Sequence, residues 1–157
     1  MVMNNPSTSS TPSAVAISIV VPVRNEENNI SPLIAEIAAA LGDRWDHEIV
    51  YVNDGSTDGT AERLASEMRV RKNLRHIVHA KSSGQSAAVR SGVRAARGAI
   101  VATLDGDGQN NPAFLPDLIS AIERVVSASV LPPVSVSAER IPASRNSSRA
   151  WPMAFAR

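Results

Sequence analysis

The residues of this chain best suited to chemistry are its acids, which gather in three short clusters: Arg24-Asn25-Glu26-Glu27, Asn53-Asp54-Gly55-Ser56-Thr57-Asp58-Gly59 and Asp105-Gly106-Asp107-Gly108-Gln109. Each follows a β-branched run that reads as a strand. In extended backbone, side chains two residues apart leave on the same side, so Asp105 and Asp107 are expected to share one divalent cation, Mg2+ or Mn2+. Two carboxylates leave coordination positions open, which suits a cation that carries a diphosphate better than a closed structural site. Glycine at 106 and 108 lets the backbone approach a bulky charged ligand. The competing reading is a solvated turn, because Asp-Gly pairs are common turn formers.

Other chemistries fit less well. A calcium loop starting at Asp105 would need Gly at its sixth position and Glu at its twelfth, where the chain has Asn110 and Pro116. A nicotinamide-binding turn needs G-x-G-x-x-G after the first strand, and this chain has Pro22-Val23-Arg24-Asn25-Glu26-Glu27. The P-loop pattern is absent too. With no cysteine, and with histidine only at 47, 76 and 79 in no zinc-type spacing, any metal must be held by oxygen. His76 and His79, three apart on a strand, point to opposite faces and do not chelate together. Asp54 at a strand end is a good acceptor for paired donors of a base or ribose; alternatively it forms an Asx turn, as Asp58 is expected to do at the entry of a helix. Glu26 has a similar alternative as a helix-entry acid. Arg90, Arg94 and Arg97, at helical spacing, read as a solvated face.

The elements that must position these acids are legible from periodicity. AISIVVPV reads as a buried strand; Ser31 as an N-cap and Pro32 as the first helical residue open a helix that stops at Gly42. EIVYVND and LRHIVHA are further strands, separated by a helix within STDGTAERLASEM. SAAVRSGVRAAR is a small-residue helix stopped by Gly98, and AIVATLD is a fourth strand. From Pro112 a last helix carries an apolar stripe of Leu115, Leu118, Ile119, Ile122, Val125 and Val126. Alternation of this kind with short connections specifies an α/β fold with an open, mostly parallel, right-handed sheet. Ligands of such sheets sit outside the carboxyl ends of the strands, where all three acid clusters fall.

Composition bounds the rest. The 157 residues carry 16 Lys+Arg against 15 Asp+Glu, too balanced for a nucleic-acid binder that relies on bulk charge. At 43% hydrophobic and 3% aromatic, the core is built from Ala, Val, Ile and Leu, which favours helix-and-parallel-sheet layering. Charge divides unevenly: residues 1–123 hold 11 basic and 14 acidic residues, residues 124–157 hold 5 basic and one acidic. We therefore expect an arm at 1–13, a folded body at 14–126 and a Ser/Pro/Arg-rich tail at 127–157. The arm lacks the basic start and apolar stretch of a signal peptide, and the longest apolar run, Ala14 to Val23, is far shorter than a membrane span. The sequon Asn146-Ser147-Ser148 therefore carries no weight.

Taken together, VVPVRNEENNI at 20–30, VNDGSTDGT at 52–60, GQSAAVRSGVRAARG at 84–98 and DGDGQNNP at 105–112 resemble the family 2 glycosyltransferases of GT-A fold, in particular the dolichol-phosphate mannosyltransferase-like, polyprenyl-phosphate branch. The resemblance covers about Ile17 to Val125 in the family's order and spacing. It implies a Rossmann-like GT-A donor half in which Pro22, Arg24, Glu26 and Asp54, with Asp105 and Gly106, line the nucleotide pocket. It also implies that Asp105, Asp107 and Gln109 hold the metal on a sugar-nucleotide diphosphate, Asp105 and Asp107 being the catalytic pair and Gln109 the residue that marks the branch. Gln85 stands where many relatives have Lys. The implied reaction is an inverting transfer from a UDP- or GDP-sugar to a polyprenyl or dolichol phosphate. The implied setting is the cytoplasmic face of a membrane, with the chain peripheral to it. GT-A domains normally continue well past the metal motif, so we expect an incomplete domain whose tail is disordered or read out of frame. Two alternatives accompany this reading: a remnant that binds nucleotide without catalysis, and an unrelated doubly wound binding module.

Overall fold

A computed structural model describes residues 15–129 and the pair 155–156. The expected arm at 1–13 and most of the expected tail at 127–157 lie outside the described residues. Runs of Val and Ile covered on both faces form the centre of the sheet, as parallel strands require. All seven residues of β1 (Ile17–Val23) are buried, and so are six of the seven in β2 (His47–Asn53). β3 (Leu74–Val78) pairs with β2, and β4 (Ile100–Thr103) with β1, every pair parallel. A two-residue strand, β5 (Phe155–Ala156), lies antiparallel to β4 and completes the order β3-β2-β1-β4-β5.

Four helices cover the sheet. α1 (Ile30–Leu41) buries Ile30, Leu33, Ile34, Ile37 and Leu41 against Ile17, Ile19, Val21, Ile49 and Tyr51. Leu64 of α2 (Thr60–Val70) and Leu115 and Ile119 of α4 (Leu115–Ser129) join the same layer. α3 (Gln85–Ala95) covers the opposite face, where Val20, Val50 and Val101 meet Ile77, Val93 and Ala96. The small residues of α3 set its depth: a Cβ on Gly92 would lie 2.3 Å from Val20 Cγ1 and 3.1 Å from Val52 Cγ2. Glycine there lets the helix backbone rest directly on the strands.

Some elements start or stop away from their expected places. α1 begins at Ile30, not Pro32, so Ser31 lies inside the helix and is not its N-cap. Pro32 remains in the first turn, whose N–H groups have no helical partner, and therefore costs no bond. In α4 only the first half of the expected stripe is covered: Leu115 and Ile119 are buried, whereas Val125 and Val126 are 66% and 46% exposed. α4 is tied down through Ser120 and Glu123, which bond Arg44 (3.3 Å) and Trp45 (2.9 Å) in the α1–β2 connection, and its last turn runs beyond that tether.

A buried polar cluster locks β4 beside β1. Glu48 accepts from Ser18 Oγ (2.7 Å), Arg75 Nη1 (2.8 Å) and the Arg97 N–H (2.7 Å), and Gly98 N–H donates to Ser18 Oγ (2.9 Å). Burial alone would raise the carboxyl's pKa, but the bonds from Arg75, Ser18 and Arg97 outweigh it and hold the value below normal. The chain leaving α3 is thereby pinned to the start of β1, and β4 emerges at a defined height.

The order of strands carries a functional consequence. The chain moves from β1 outward to β3 with α1 and α2 on one face, then returns across the sheet through α3 to place β4 on the other side of β1. The direction of winding reverses between β1 and β4, the point beyond whose strand ends open sheets of this kind place their ligand crevice. That crevice is where the acid clusters meet.

Candidate functional site

The loop after β1 and the loop after β2 are stitched together. Asn25, at φ +58°, donates its N–H to Ser56 Oγ (2.9 Å), and its Oδ1 accepts from the Thr57 N–H (2.8 Å). The Glu26 N–H donates to Thr60 Oγ1 (3.0 Å) and the Glu27 N–H to Asp58 Oδ2 (3.2 Å), while Glu27 Oε2 accepts from the Gly59 N–H (2.7 Å). Asp58 Oδ1 also accepts from the Thr60 N–H (3.1 Å), so Asp58 does form the expected local turn into α2. Glu27 and Asp58 thus serve the loops. Glu26 accepts one bond, from Asn29 Nδ2 (2.7 Å), and faces the cavity.

Asp54 is only 3% exposed and heavily bonded. Its Oδ1 lies 2.6 Å from His79 Nδ1 and 2.9 Å from the Ser83 nitrogen. Its Oδ2 accepts from Ser82 Oγ (2.8 Å), the Ser83 N–H (3.0 Å) and the Gly84 N–H (2.8 Å). Burial opposes ionisation, but these donors outweigh it and hold the carboxyl far below the usual carboxylate range. Asp54 is therefore an anion at every physiological pH. It anchors the 82–84 loop and at the same time lines the cavity.

The third cluster differs from its expected geometry. β4 ends at Thr103, and residues 106 and 107 form a turn, so Asp105 and Asp107 do not project from one extended strand. Both nevertheless reach the same cavity. Gly106 makes the turn possible, since a Cβ there would lie 2.2 Å from Val23 Cγ1 and 2.9 Å from the Pro22 carbonyl oxygen. Asp105 accepts from Gln85 Nε2 (2.6 Å) and Asn110 Nδ2 (3.1 Å), and Asp107 Oδ1 accepts from the Gln109 N–H (3.0 Å). Gln109 follows the turn and is exposed, but it is not on the cavity wall.

The cavity encloses about 340 Å³. Pro22, Val23, Arg24 and Glu26 form one wall and Asp105, Gly106 and Asp107 another; Asp54 and the loop carrying Ser82, Gly84 and Gln85 complete it. Of the positions singled out from sequence, Pro22, Arg24, Glu26, Asp54, Asp105, Gly106 and Asp107 are brought together. Arg90, Arg94 and Arg97 are exposed on and just after α3, away from this cavity, in line with a solvated face. Sequence reasoning misses Ser82 and Gly84 as wall residues and His79 as the partner of Asp54. The available signal was the run Ser82-Ser83-Gly84, whose short side chains leave backbone N–H groups free to approach a carboxylate.

The donor set can be tested for a divalent cation. It is all oxygen, with two exposed carboxylates at the cavity edge, which fits a hard cation such as Mg2+ or Mn2+. Among the described residues no three His, Cys, Asp or Glu side chains gather closely enough to hold a metal by themselves. A cation here would take much of its coordination from water and ligand phosphate, as Mg2+ commonly does.

Comparison with known proteins decides the family: residues 18–156 match the model of glycosyl transferase family 2. The chain belongs to glycosyltransferase family 2. The family 2 match takes in the region of the three acid clusters and runs through β5. Among curated relatives, a dodecaprenyl-phosphate galacturonate synthase of Rhizobium johnstonii is 39% identical over 115 residues, covering 71% of this chain and 33% of the relative. A dolichol-phosphate mannosyltransferase of Mycosarcoma maydis is 36% identical over 121 residues, covering 74% of this chain and 40% of the relative. The fold agrees with solved GT-A glycosyltransferases. S. aureus TarS in complex with UDP-GlcNAc superposes with a TM-score of 0.60 at 27% identity, over 69% of this chain and 31% of that one. A mannosyltransferase from Pyrobaculum calidifontis, in complex with GDP-Man and Mn2+, gives 0.55 at 26% identity, over 61% and 28%. This family 2 chain spans about a third of the length of the curated relatives it matches. Family membership sets aside the unrelated binding module.

Proposed function

We propose that the chain forms the donor-binding half of a hexosyltransferase that moves a sugar from a UDP- or GDP-sugar to a polyprenyl or dolichol phosphate, with inversion. The observation that carries this reading is the convergence of all three strand-end acid clusters on one cavity at the point where the sheet reverses its winding. One solved neighbour is a complex with UDP-GlcNAc and another a complex with GDP-Man and Mn2+, and the relatives' names carry polyprenyl or dolichol phosphate, which supports the choice of substrates.

In this reading Pro22, Arg24, Glu26 and Asp54 receive the nucleoside, and Asp105, Gly106 and Asp107 face the diphosphate. Asp105 and Asp107, with Gln109 as the third ligand the family resemblance implies, would hold Mg2+ or Mn2+. A cation bound there neutralises the negative charge that builds on the departing nucleoside diphosphate. An oxygen of the acceptor phosphate forms a bond to the anomeric carbon as the bond from that carbon to the diphosphate oxygen breaks. The bonding pair leaves with the nucleoside diphosphate, and attack from the opposite side inverts the configuration. A lipid phosphate is already an anion at neutral pH, so the site need not supply a general base. Among the described residues no helix is long and apolar enough to cross a membrane. A lipid acceptor would bring this part of the chain to a membrane surface, which this reading takes to be the cytoplasmic face.

Because the chain spans about a third of its relatives' length, donor binding and sugar transfer are separate claims. Calorimetric titration with UDP and with GDP tests the first. With Mn2+ present, one of the two is expected to bind saturably, and EDTA is expected to weaken it at least tenfold, the equivalent of about 1.4 kcal/mol. Failure of both nucleotides to bind with Mn2+ would remove the donor-site reading. Binding without measurable transfer to a lipid phosphate would favour a chain that retains the donor site alone.

A further inference from the structure

His79, just past the end of β3, has no part in the reading above, yet it stands at a junction. Its Nδ1 lies 2.6 Å from Asp54 Oδ1, and its Nε2 lies 2.9 Å from Ser91 Oγ in the middle of α3. A carboxylate only accepts, so Nδ1 carries the proton and donates to Asp54. Both side chains are largely covered, at 17% and 5% exposure. The same carboxylate accepts from Ser82 Oγ and from the N–H groups of Ser83 and Gly84, and the next residue, Gln85, reaches Asp105 with Nε2 at 2.6 Å. A continuous path of hydrogen bonds and backbone thus runs from α3 through His79 and Asp54 to the loop, and on to the acid at the far end of the cavity.

We propose that His79 is a positioning residue of the donor site: it clamps the Asp54 carboxylate to α3, and Asp54 in turn holds the 82–84 loop in the orientation that brings Gln85 to Asp105. The proposal rests on the cavity being the donor site. Its physical basis is that a carboxylate at the end of a strand can rotate about its own side-chain bonds, and its partners Ser82, Ser83 and Gly84 sit on an exposed loop that would follow it. The imidazole, held at both ring nitrogens, fixes one carboxylate oxygen relative to a helix packed directly on the sheet. His79 does not line the cavity itself, whereas its partner Asp54 does, so its effect on ligand is indirect.

Conservative variants separate the two ends of the clamp. His79→Asn puts an amide N–H where Nδ1 stands and keeps the bond to Asp54. His79→Gln puts its amide near Nε2 and keeps only the bond to Ser91. In the full chain, His79→Ala and His79→Gln are expected to speed hydrogen exchange at the Ser83 and Gly84 amides about tenfold and to weaken Mn2+-dependent nucleotide binding by a similar factor. Exchange in β1 and β2 should stay unchanged. His79→Asn should return both readouts to within about threefold of the wild type. The proposal is overturned if loop exchange is unaltered in His79→Gln, if His79→Asn is as impaired as His79→Gln, or if all variants exchange faster throughout the sheet. Should His79→Ala fail to fold, the Asn and Gln pair decides. If the wild type binds neither nucleotide, the donor-site reading fails, while the exchange comparison still decides whether His79 holds the loop.

Discussion

Replacing both Asp105 and Asp107 by Ala is expected to abolish Mn2+-dependent nucleotide binding while leaving the fold intact. Both side chains are exposed at the cavity edge, and neither belongs to either apolar cluster, so their removal costs little packing. Their combined charge is what would offset a divalent cation, and the cation is what makes a diphosphate tolerable beside Glu26 and Asp54. The loss should exceed a hundredfold in affinity, about 2.7 kcal/mol, with the melting temperature within a few degrees of the wild type. Single Ala variants should each lose less than the pair. Undiminished Mn2+-dependent binding in the double variant would show that the metal is held elsewhere.

Asp54→Ala is expected to reduce stability and affinity together. The substitution leaves His79, Ser82 and the N–H groups of Ser83 and Gly84 without their common acceptor. Because the loop is exposed, water can replace part of what is lost, so the cost should be about 2 kcal/mol, below that of a fully buried charge. Acid should mimic the variant. The Asp54 carboxyl is held below its ordinary value in the folded chain, as is that of Glu48, so both contribute stability above the ordinary carboxylate pKa and lose it as pH falls through their folded values. The wild type should therefore weaken steadily below about pH 4, and Asp54→Ala should show a shallower acid dependence. Equal acid slopes in denaturant titrations of the two proteins would contradict the role given to Asp54.

Much of this site is legible in the sequence. The strands announce themselves because parallel strands buried on both faces need unbroken runs such as Ile19-Val20-Val21, and helix–strand alternation then places strand-end residues at a common edge. Periodicity says less about turns and about partners distant in sequence. The spacing of Asp105 and Asp107 suggests a shared strand face, but Gly106 packs against Val23 and the Pro22 carbonyl, and the chain turns there instead. For His79 the sequence offers only the question of chelation with His76. Its real partners, Asp54 and Ser91, lie 25 residues before it and 12 after it; the parallel register of β2 with β3 brings Asp54 alongside, and α3, packed back on the sheet, brings Ser91. The end of the α4 stripe illustrates the same limit, since Val125 and Val126 continue the helical pattern yet are exposed among the described residues.

In the proposed function this cavity holds a nucleotide-sugar diphosphate through a divalent cation on the third acid cluster. Crystals grown with Mn2+ and the nucleotide that binds, measured at the manganese absorption edge, test it most directly. One anomalous peak is expected, bonded to carboxylate oxygen of Asp105 or Asp107 and to the diphosphate, with the nucleoside lying toward Asp54 and Arg24. A nucleotide seated outside this cavity, or one bound within it with manganese on neither aspartate, would contradict it.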